Sequence, residues 1–189
     1  MEEKLTPHFT LEELCATSHK DLQEENLESG RAIKGQLIRL AEWLEEIREE
    51  IGCPMMITSG YRSAGLNRRV GGSATSQHLK GEAVDFIPQC RDLEAALYRA
   101  ALGPADYGQL ILEDRGRRII HISMGDKRQI MYSPTPHEFI PKSHCEYLSR
   151  ILDQYGVSVF PEGHNRGGEP ILNPNSPEYK ARTEHGKEK

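Results

Sequence analysis

The sequence predicts an α+β domain in which helices flank a small, mainly antiparallel sheet. The run 32–51 repeats apolar residues at three- and four-residue steps, as a helix buried along one face does. The short runs 81–87 and 118–123 alternate in the manner of strands. From residue 161 the chain is rich in Gly, Pro, Asn, Glu and Lys, which cannot bury enough apolar surface to fold. We therefore expect one domain over 1–160 and an irregular C-terminal tail over 161–189.

The first elements in the chain are expected to be helices. Thr10 and Glu13 have the spacing of a capping box, in which each side chain accepts the backbone N–H of the other residue. A short helix should therefore begin at Leu11. The polar segment 18–30 is predicted to be a loop, and the amphipathic helix over 32–51 follows it.

The later elements are predicted to complete the sheet and cover it. Two strand-like runs, 107–113 and 117–123, surround Asp114-Arg-Gly116. They are expected to form a hairpin, because Gly can adopt the positive φ that the turn needs. The other predicted elements are a buried strand over 55–58, a helix over 92–102, an edge strand over 130–132 and a last helix over 147–155.

Composition restricts the class of protein. A hydrophobic fraction of 37% with 28% charged residues describes a soluble globular chain, and a net charge of −5 argues against a nucleic-acid partner bound through a broad basic surface. No apolar run is long enough to span a membrane. The acidic amino terminus lacks the apolar core of a secretory signal, so we expect the protein to be cytoplasmic as synthesised.

The cysteines show no metal-binding or redox motif. They contain no CxxC pair, and in a chain without a visible signal peptide they are predicted to be reduced and mostly buried. The four are Cys15, Cys53, Cys90 and Cys145.

A candidate metal site lies in the segment 59–85 and in the strand-like run that follows the hairpin turn. Catalytic zinc keeps three protein ligands and leaves a fourth position for water, and His78, Asp85 and His121 make a complete set. Asp85 is expected on a strand and His78 in the loop before it, so the two can converge. From the residues alone, hydrogen-bonded polar groups beside a loop remain the alternative.

A longer frame of residues connects these candidate ligands. It consists of Ser59-Gly-Tyr-Arg-Ser63, Asn67, Val70-Gly-Gly72, Ser76-x-His78-x-x-Gly81-x-Ala83-x-Asp85 and His121-x-Ser123. The frame resembles the M15 family of zinc D-Ala-D-Ala carboxypeptidases and phage endolysins over roughly residues 5–125. The chain departs from it at Ala64, where the family often has Pro, and at Ile119, where it often has an aromatic residue or His. The resemblance implies a zinc ion held by the three ligands and a fold like that of the hedgehog and D-Ala-D-Ala peptidase domains.

The resemblance also implies a carboxylate that moves protons during peptide hydrolysis. Glu113 and Asp114 are the candidates, and Glu113 is favoured because Gln109-x-Ile111-x-Glu113 is similar to the run that the family carries on this strand. A regular three-residue turn would pair Gln109 with His121 and leave Glu113 about 13 Å along the strand. We therefore expect a bulged or bent hairpin. The alternative is a surface carboxylate paired with a neighbouring arginine.

Other polar residues are assigned to the substrate or to the ligands. Arg62 is predicted to bind a substrate carboxylate or the oxyanion with its planar fork, as the resemblance also implies, and the alternative is a buried structural ion pair. Ser76 and Gln109 are assigned with it to substrate binding. Ser76 and Ser123 have no base beside them, so they are predicted to orient the ligands. His137 is the best spare histidine.

The functional hypothesis is a zinc-dependent peptidoglycan peptidase, either an endopeptidase or a D,D-carboxypeptidase, that cuts the peptide stems of bacterial cell walls. Without a visible signal peptide, a phage lysis enzyme that reaches the wall after release is favoured over a resident periplasmic enzyme. The alternatives are a phage particle component, anchored to a particle protein by the tail, and a metal-stabilised binding module. The hedgehog signalling domain is an example in which a similar zinc site does not guarantee peptidase action.

Overall fold

The computed structural model of the protein describes residues 2–90, 93–103, 105–114, 116, 118–135 and 138–154. The predicted tail over 161–189 and the spare histidine His137 lie outside this range, so the domain boundary at residue 160 stays a prediction. Within the described residues the helices are α1 (Leu11–Leu14), α2 (Gln23–Ala32), α3 (Lys34–Ile51), α4 (Ala64–Arg69), α5 (Leu93–Leu102) and α6 (Glu146–Gln154), with short 3-10 turns at Lys20–Leu22, Gln77–Lys80 and Lys142–His144. None of the described helices is long and apolar enough to cross a membrane.

The described strands form one six-stranded sheet in the order β1-β2-β4-β3-β5-β6. They are β1 (Met55–Ser59), β2 (Ala83–Pro88), β3 (Gln109–Asp114), β4 (Arg118–Ser123), β5 (Gln129–Thr135) and β6 (Glu138–Pro141). The β3–β5 pairing is parallel, whereas the other neighbours are antiparallel. The α+β class is thus confirmed, but the sheet is mixed.

A close approach of two glycines produces the parallel pairing. The connection after β4 crosses the start of β3, where Gln129 N donates to Gly108 O at 3.0 Å. A Cβ built on Gly125, whose φ is +141°, would lie 2.9 Å from the Cα of Gly108. Because neither residue has a side chain, the chain can pass from one edge of β3 to the other and continue as β5.

The hydrophobic core lies on one face of the sheet, under the helices. Alternate residues of β2, β3 and β4 point into it and are completely buried, as the side-chain alternation of strands requires. They pack in one cluster with the apolar stripe of α3 and with residues of α1, α5 and α6. These strand residues are Val84, Phe86, Leu110, Leu112, Ile120 and Ile122. The intervening residues of the same strands therefore face away from the core.

The amino-terminal helices match the sequence only in part. The capping box is confirmed, since Thr10 Oγ1 accepts the Glu13 N–H at 3.1 Å and α1 begins at Leu11. The predicted loop over 18–30 is wrong, because most of it forms α2. Asn26 explains the error: it is completely buried and donates from Nδ2 to the backbone oxygens of Cys15 and Tyr61, at 2.8 and 3.0 Å. A helix anchored by hydrogen bonds lacks the apolar periodicity that identifies a helix in sequence.

Candidate metal centre

The three predicted ligands meet on the face of the sheet opposite the core. Asp85 in β2 and His121 in β4 are direct cross-strand partners, and both alternate with core residues. His78 comes from the 3-10 turn that precedes β2. All three side chains are buried, and one ligand atom from each lies within 4.8 Å of the others.

The spacing of the three donor atoms fits a tetrahedral metal ion. Asp85 Oδ1 lies 2.7 Å from His121 Nδ1 and 3.2 Å from His78 Nε2. The two histidine nitrogens are 3.3 Å apart. Ligand bonds of 2.0–2.1 Å at tetrahedral angles separate neighbouring donors by about 3.3 Å. Two imidazole nitrogens and one carboxylate oxygen thus surround a position that a small divalent ion can occupy.

A backbone carbonyl orients the ring of His78. Its Nδ1–H donates to Gly60 O at 2.7 Å, so the Nε2 lone pair is directed towards the other two ligands. Gly60 in turn packs against the end of α1, where an added Cβ would lie 2.3 Å from Leu14 O. Tyr61 N donates to that same oxygen at 2.7 Å. Only glycine allows this approach, so the Ser59-Gly-Tyr part of the motif has a structural reason.

Arg62 holds the other oxygen of Asp85. Its Nη2 donates to Asp85 Oδ2 at 2.6 Å, and its Nε donates to Ser59 Oγ at 2.8 Å. The two carboxylate oxygens therefore have different partners: Oδ1 faces the histidines, and Oδ2 binds the guanidinium. Arg62 Nη1 makes no hydrogen bond to any residue that the structure describes. The predicted structural ion pair is present, and the Nη1 end of the guanidinium can still bind a substrate group.

The electrostatics of the cluster favour the protonation states that bind a metal. Burial lowers the pKa of His78, which keeps the imidazole neutral. Burial opposes ionisation of Asp85, but its electrostatic interactions and hydrogen bonds with His78 and His121 outweigh this effect and hold the pKa of Asp85 well below its usual range. Neutral imidazole and ionised carboxylate are the forms that coordinate a cation, so binding here requires little proton release.

The register of the hairpin places Glu113 beside the cluster without a bulge. Ile111, and not Gln109, is the cross-strand partner of His121, and Glu113 pairs with Ile119. Glu113 therefore shares the face of His121 as its diagonal neighbour, a separation of about 7 Å that a long side chain can bridge. The expected bulge or bend is wrong, because β3 and β4 pair regularly from Leu110–Ile122 to Asp114–Arg118, in a register two residues away from the one that gave the 13 Å offset.

Asp114, the other candidate base, points to the opposite side of the sheet. Its Oδ2 accepts the Tyr132 hydroxyl at 3.4 Å and lies 3.5 Å from Arg118 Nε. The predicted alternative of a carboxylate paired with a neighbouring arginine thus describes Asp114. Since successive strand residues alternate in direction, Glu113 and Asp114 cannot both face the metal cluster.

The remaining assigned residues have different surroundings. Gln109 begins β3, two residues before the Ile111 that pairs with His121, and therefore lies diagonal to His121 on the side opposite Glu113. Ser123 is completely buried, and its Oγ accepts the Gln109 N–H at 3.0 Å, so it holds the start of β3 instead of a ligand. Ser76 precedes the turn that carries His78, and its side chain makes no hydrogen bond to the described residues. Its role in substrate binding stays a prediction.

Two supporting residues were missed from the sequence. Thr58 Oγ1 donates to the backbone oxygen of Asp85 at 3.0 Å, at the point where the β1–β2 register shifts. Ser59 Oγ accepts the Nε–H of Arg62 and so helps to fix the guanidinium. Ser59 stands at the start of the frame, but its spacing from the other residues does not identify its partner, so its role is visible only in the structure.

Comparison with known proteins agrees with this geometry. The model of the family described as Peptidase M15 matches residues 7–123, which is most of the described domain and includes all three ligands, Arg62 and Glu113. No curated protein matches the chain. The M15 family consists of metal-dependent peptidases, and the buried His–Asp–His cluster is a site that could hold the metal. The chain belongs to the peptidase M15 family.

Proposed function

We propose that the protein is a zinc-dependent peptidase that cuts the peptide stems of bacterial peptidoglycan. The observation that carries the proposal is the buried triad of His78, Asp85 and His121, with the Glu113 carboxylate as a diagonal neighbour on the same face. Two imidazoles and one carboxylate suit zinc better than magnesium or calcium, which prefer oxygen ligands. A three-ligand set also leaves a position open for reaction, as catalytic zinc sites do.

Zinc bound here would polarise the scissile carbonyl and lower the pKa of the attacking water. Glu113 is assigned the proton transfers: its carboxylate takes a proton from the water and returns it to the leaving amine. The diagonal position beside His121 lets the flexible Glu113 side chain reach the open coordination position from the β3 side. Its strand neighbour Ser133 is buried on the same face.

Arg62 is assigned to the substrate oxygen that becomes negatively charged. Nη2 and Nε are committed to Asp85 and Ser59, which fixes the guanidinium plane, while Nη1 has no hydrogen bond among the described residues. A preorganised donor of this kind stabilises developing charge without reorganising during the reaction. Gln109 and Ser76 remain assigned to substrate binding.

The sheet face around the triad supports a peptide substrate with small apolar side chains. Ile87, Ile119 and Met131 occupy this face and are only partly buried. Such side chains offer apolar contact to the methyl groups of the alanines in a wall peptide. The family resemblance favours the D-Ala bond region of the stem, as a D,D-carboxypeptidase or an endopeptidase would cut it. A phage-type lysis enzyme remains the favoured biological setting.

Digestion of purified peptidoglycan, with mass spectrometry of the released fragments, tests the function. The zinc-loaded full chain should release either free D-alanine or cleaved cross-bridges, which distinguishes the two activities. Treatment with EDTA should abolish release, and added zinc should restore it. Stoichiometric zinc binding without any hydrolysis of wall peptides would contradict the proposal and support the metal-stabilised binding module.

A further inference from the structure

Two cysteines that are distant in sequence face each other at the end of the β1–β2 ladder. Met55 pairs with Pro88, and one step further Gln89 N donates to Pro54 O at 2.8 Å. Continued by one more residue, the same antiparallel register places Cys53 directly opposite Cys90. Neither cysteine forms a disulfide bond in the structure, and no spacing motif in the sequence connects them.

The geometry of this pair is that of a cross-strand disulfide. The Gln89–Pro54 hydrogen bond makes those two residues a hydrogen-bonded pair, so the next pair, Cys53 and Cys90, is of the non-hydrogen-bonded kind. Opposed Cα atoms in such a pair are about 4.5 Å apart, with the side chains close together on one face. A disulfide requires a Cα separation of about 4.4 to 6.8 Å, which this position meets without backbone movement.

The two thiols differ in their exposure to solvent, and this difference determines which of them reacts first. Cys90 is exposed, so the expectation of buried cysteines fails for it, whereas Cys53 is half-buried against the core. Burial raises the pKa of Cys53 to about 11, and its hydrogen bond with the Cys90 thiol contributes in the same direction. Cys90 is therefore the thiol that an oxidant meets first. Cys15 and Cys145, in contrast, are buried in the core.

We propose that Cys53 and Cys90 are a redox modification site that closes to an intrachain disulfide on reaction with a small-molecule disulfide. The Cys90 thiolate attacks one sulfur of the oxidant, forms a mixed disulfide and releases the first thiolate. The Cys53 thiolate then attacks the Cys90 sulfur, forms the protein disulfide and releases the second thiolate. The two thiols thus lose two protons and two electrons, and the electrons reduce the oxidant to two thiols.

The link would enclose the segment that carries most of the metal centre. The closed loop from Cys53 to Cys90 contains Arg62, His78 and Asp85, whereas His121 lies outside it. Closing a loop of this length restricts the unfolded chain and stabilises the folded one. For a domain of this size, the expected rise in melting temperature is about 10 °C. The site does not depend on peptidase activity and is tested without it.

The test is thiol oxidation of the folded full-length protein with oxidised glutathione, followed by denaturation, alkylation and peptide mass spectrometry. We expect a Cys53–Cys90 linked peptide in the monomer, with Cys15 and Cys145 still alkylated. The oxidised protein should melt about 10 °C higher than the reduced protein, and dithiothreitol should reverse the rise. In Cys53→Ser the reaction should stop at a glutathione mixed disulfide on Cys90, without the increase in melting temperature.

Other results would overturn the inference. One is stable glutathione on Cys90 of the wild-type protein with Cys53 still free to alkylate, since facing thiols would resolve the mixed disulfide. Another is a linked peptide that joins any other pair of cysteines in the folded monomer. Cys90→Ser provides a second control: because Cys90 is exposed, this variant should fold and should form no intrachain link.

Discussion

Replacing Asp85 with Asn separates the metal role of this carboxylate from its structural role. The substitution keeps the shape of the side chain but removes the charge that two histidines and Arg62 share. Loss of one of three ligands should abolish stable metal binding, because catalytic zinc is normally held by three. Metal analysis after dialysis should find no stoichiometric zinc in Asp85→Asn and full occupancy in the wild-type protein.

The same variant should also be less stable when no metal is present. The side chains of Arg62 and Asp85 are only 16% and 12% exposed, and removal of one partner of a buried ion pair typically costs about 3–5 kcal/mol. Arg62 keeps its bond to Ser59 and some contact with water, so we expect about 2–3 kcal/mol. For a chain of this size, that loss lowers the melting temperature by roughly 5–10 °C.

Thermal unfolding in EDTA measures this effect, and a double variant controls for it. Removing the orphaned guanidinium as well, in Arg62→Met/Asp85→Asn, should recover part of the lost stability, because no unpaired charge is left behind. If Asp85→Asn melted like the wild-type protein in EDTA, the ion pair would not stabilise the fold. If Asp85→Asn retained stoichiometric zinc, Asp85 would not be a ligand and the assignment of the cluster would be wrong.

Three further outcomes are expected. Glu113→Gln should keep zinc but lose on the order of 100-fold or more in the rate of wall-peptide hydrolysis. Asp114→Asn, on the other face of β3, should retain activity. The reverse result would mean that Asp114, and not Glu113, transfers the protons. Burial lowers the pKa of His78 in the folded protein, so in EDTA this histidine is protonated at a higher pH in the unfolded chain than in the folded one. The free energy of unfolding should therefore fall as the pH drops below about 6.5, by at most about 1.4 kcal/mol per pH unit. Urea titrations at several pH values should show that the free energy of unfolding depends less on pH in His78→Gln than in the wild-type protein. An equal dependence on pH would mean that His78 is not the cause. A chain ending at Gly163 should melt cooperatively, bind zinc and hydrolyse wall peptides like the full protein; loss of cooperative melting would place the domain boundary beyond residue 160.

The convergence of His78, Asp85 and His121 could be predicted from the sequence because their residue types and spacing follow a known frame. The strand alternation around Asp85 and His121 fixes which side chains share a face, whatever the details of the loops. These features depend on local pattern, which the sequence contains directly.

The errors come from features that local pattern does not contain. Asn26 anchors α2 through hydrogen bonds to backbone groups distant in sequence, so the sequence predicts a loop where a polar helix forms. The hairpin register depends on which residues form the turn. A difference of two residues in that register decides whether Glu113 lies far along the strand from His121 or is its diagonal neighbour. The parallel β5 required the contact between Gly108 and Gly125, and two separated glycines give no such signal in the sequence.

Through the contact between Gly60 and Leu14, the amino-terminal helix α1 supports the orientation of His78, although α1 itself contributes no atom to the metal site. The carbonyl that orients His78 belongs to a residue packed against Leu14 O, and the neighbouring Tyr61 N–H is bonded to that oxygen. Metal affinity could therefore be tuned through α1, which contributes no donor atom. Changes that loosen α1 would leave the triad intact in composition and yet let the imidazole rotate. For an engineer, this helix is a place to weaken the metal site gradually, where substitution of a ligand would remove it at once.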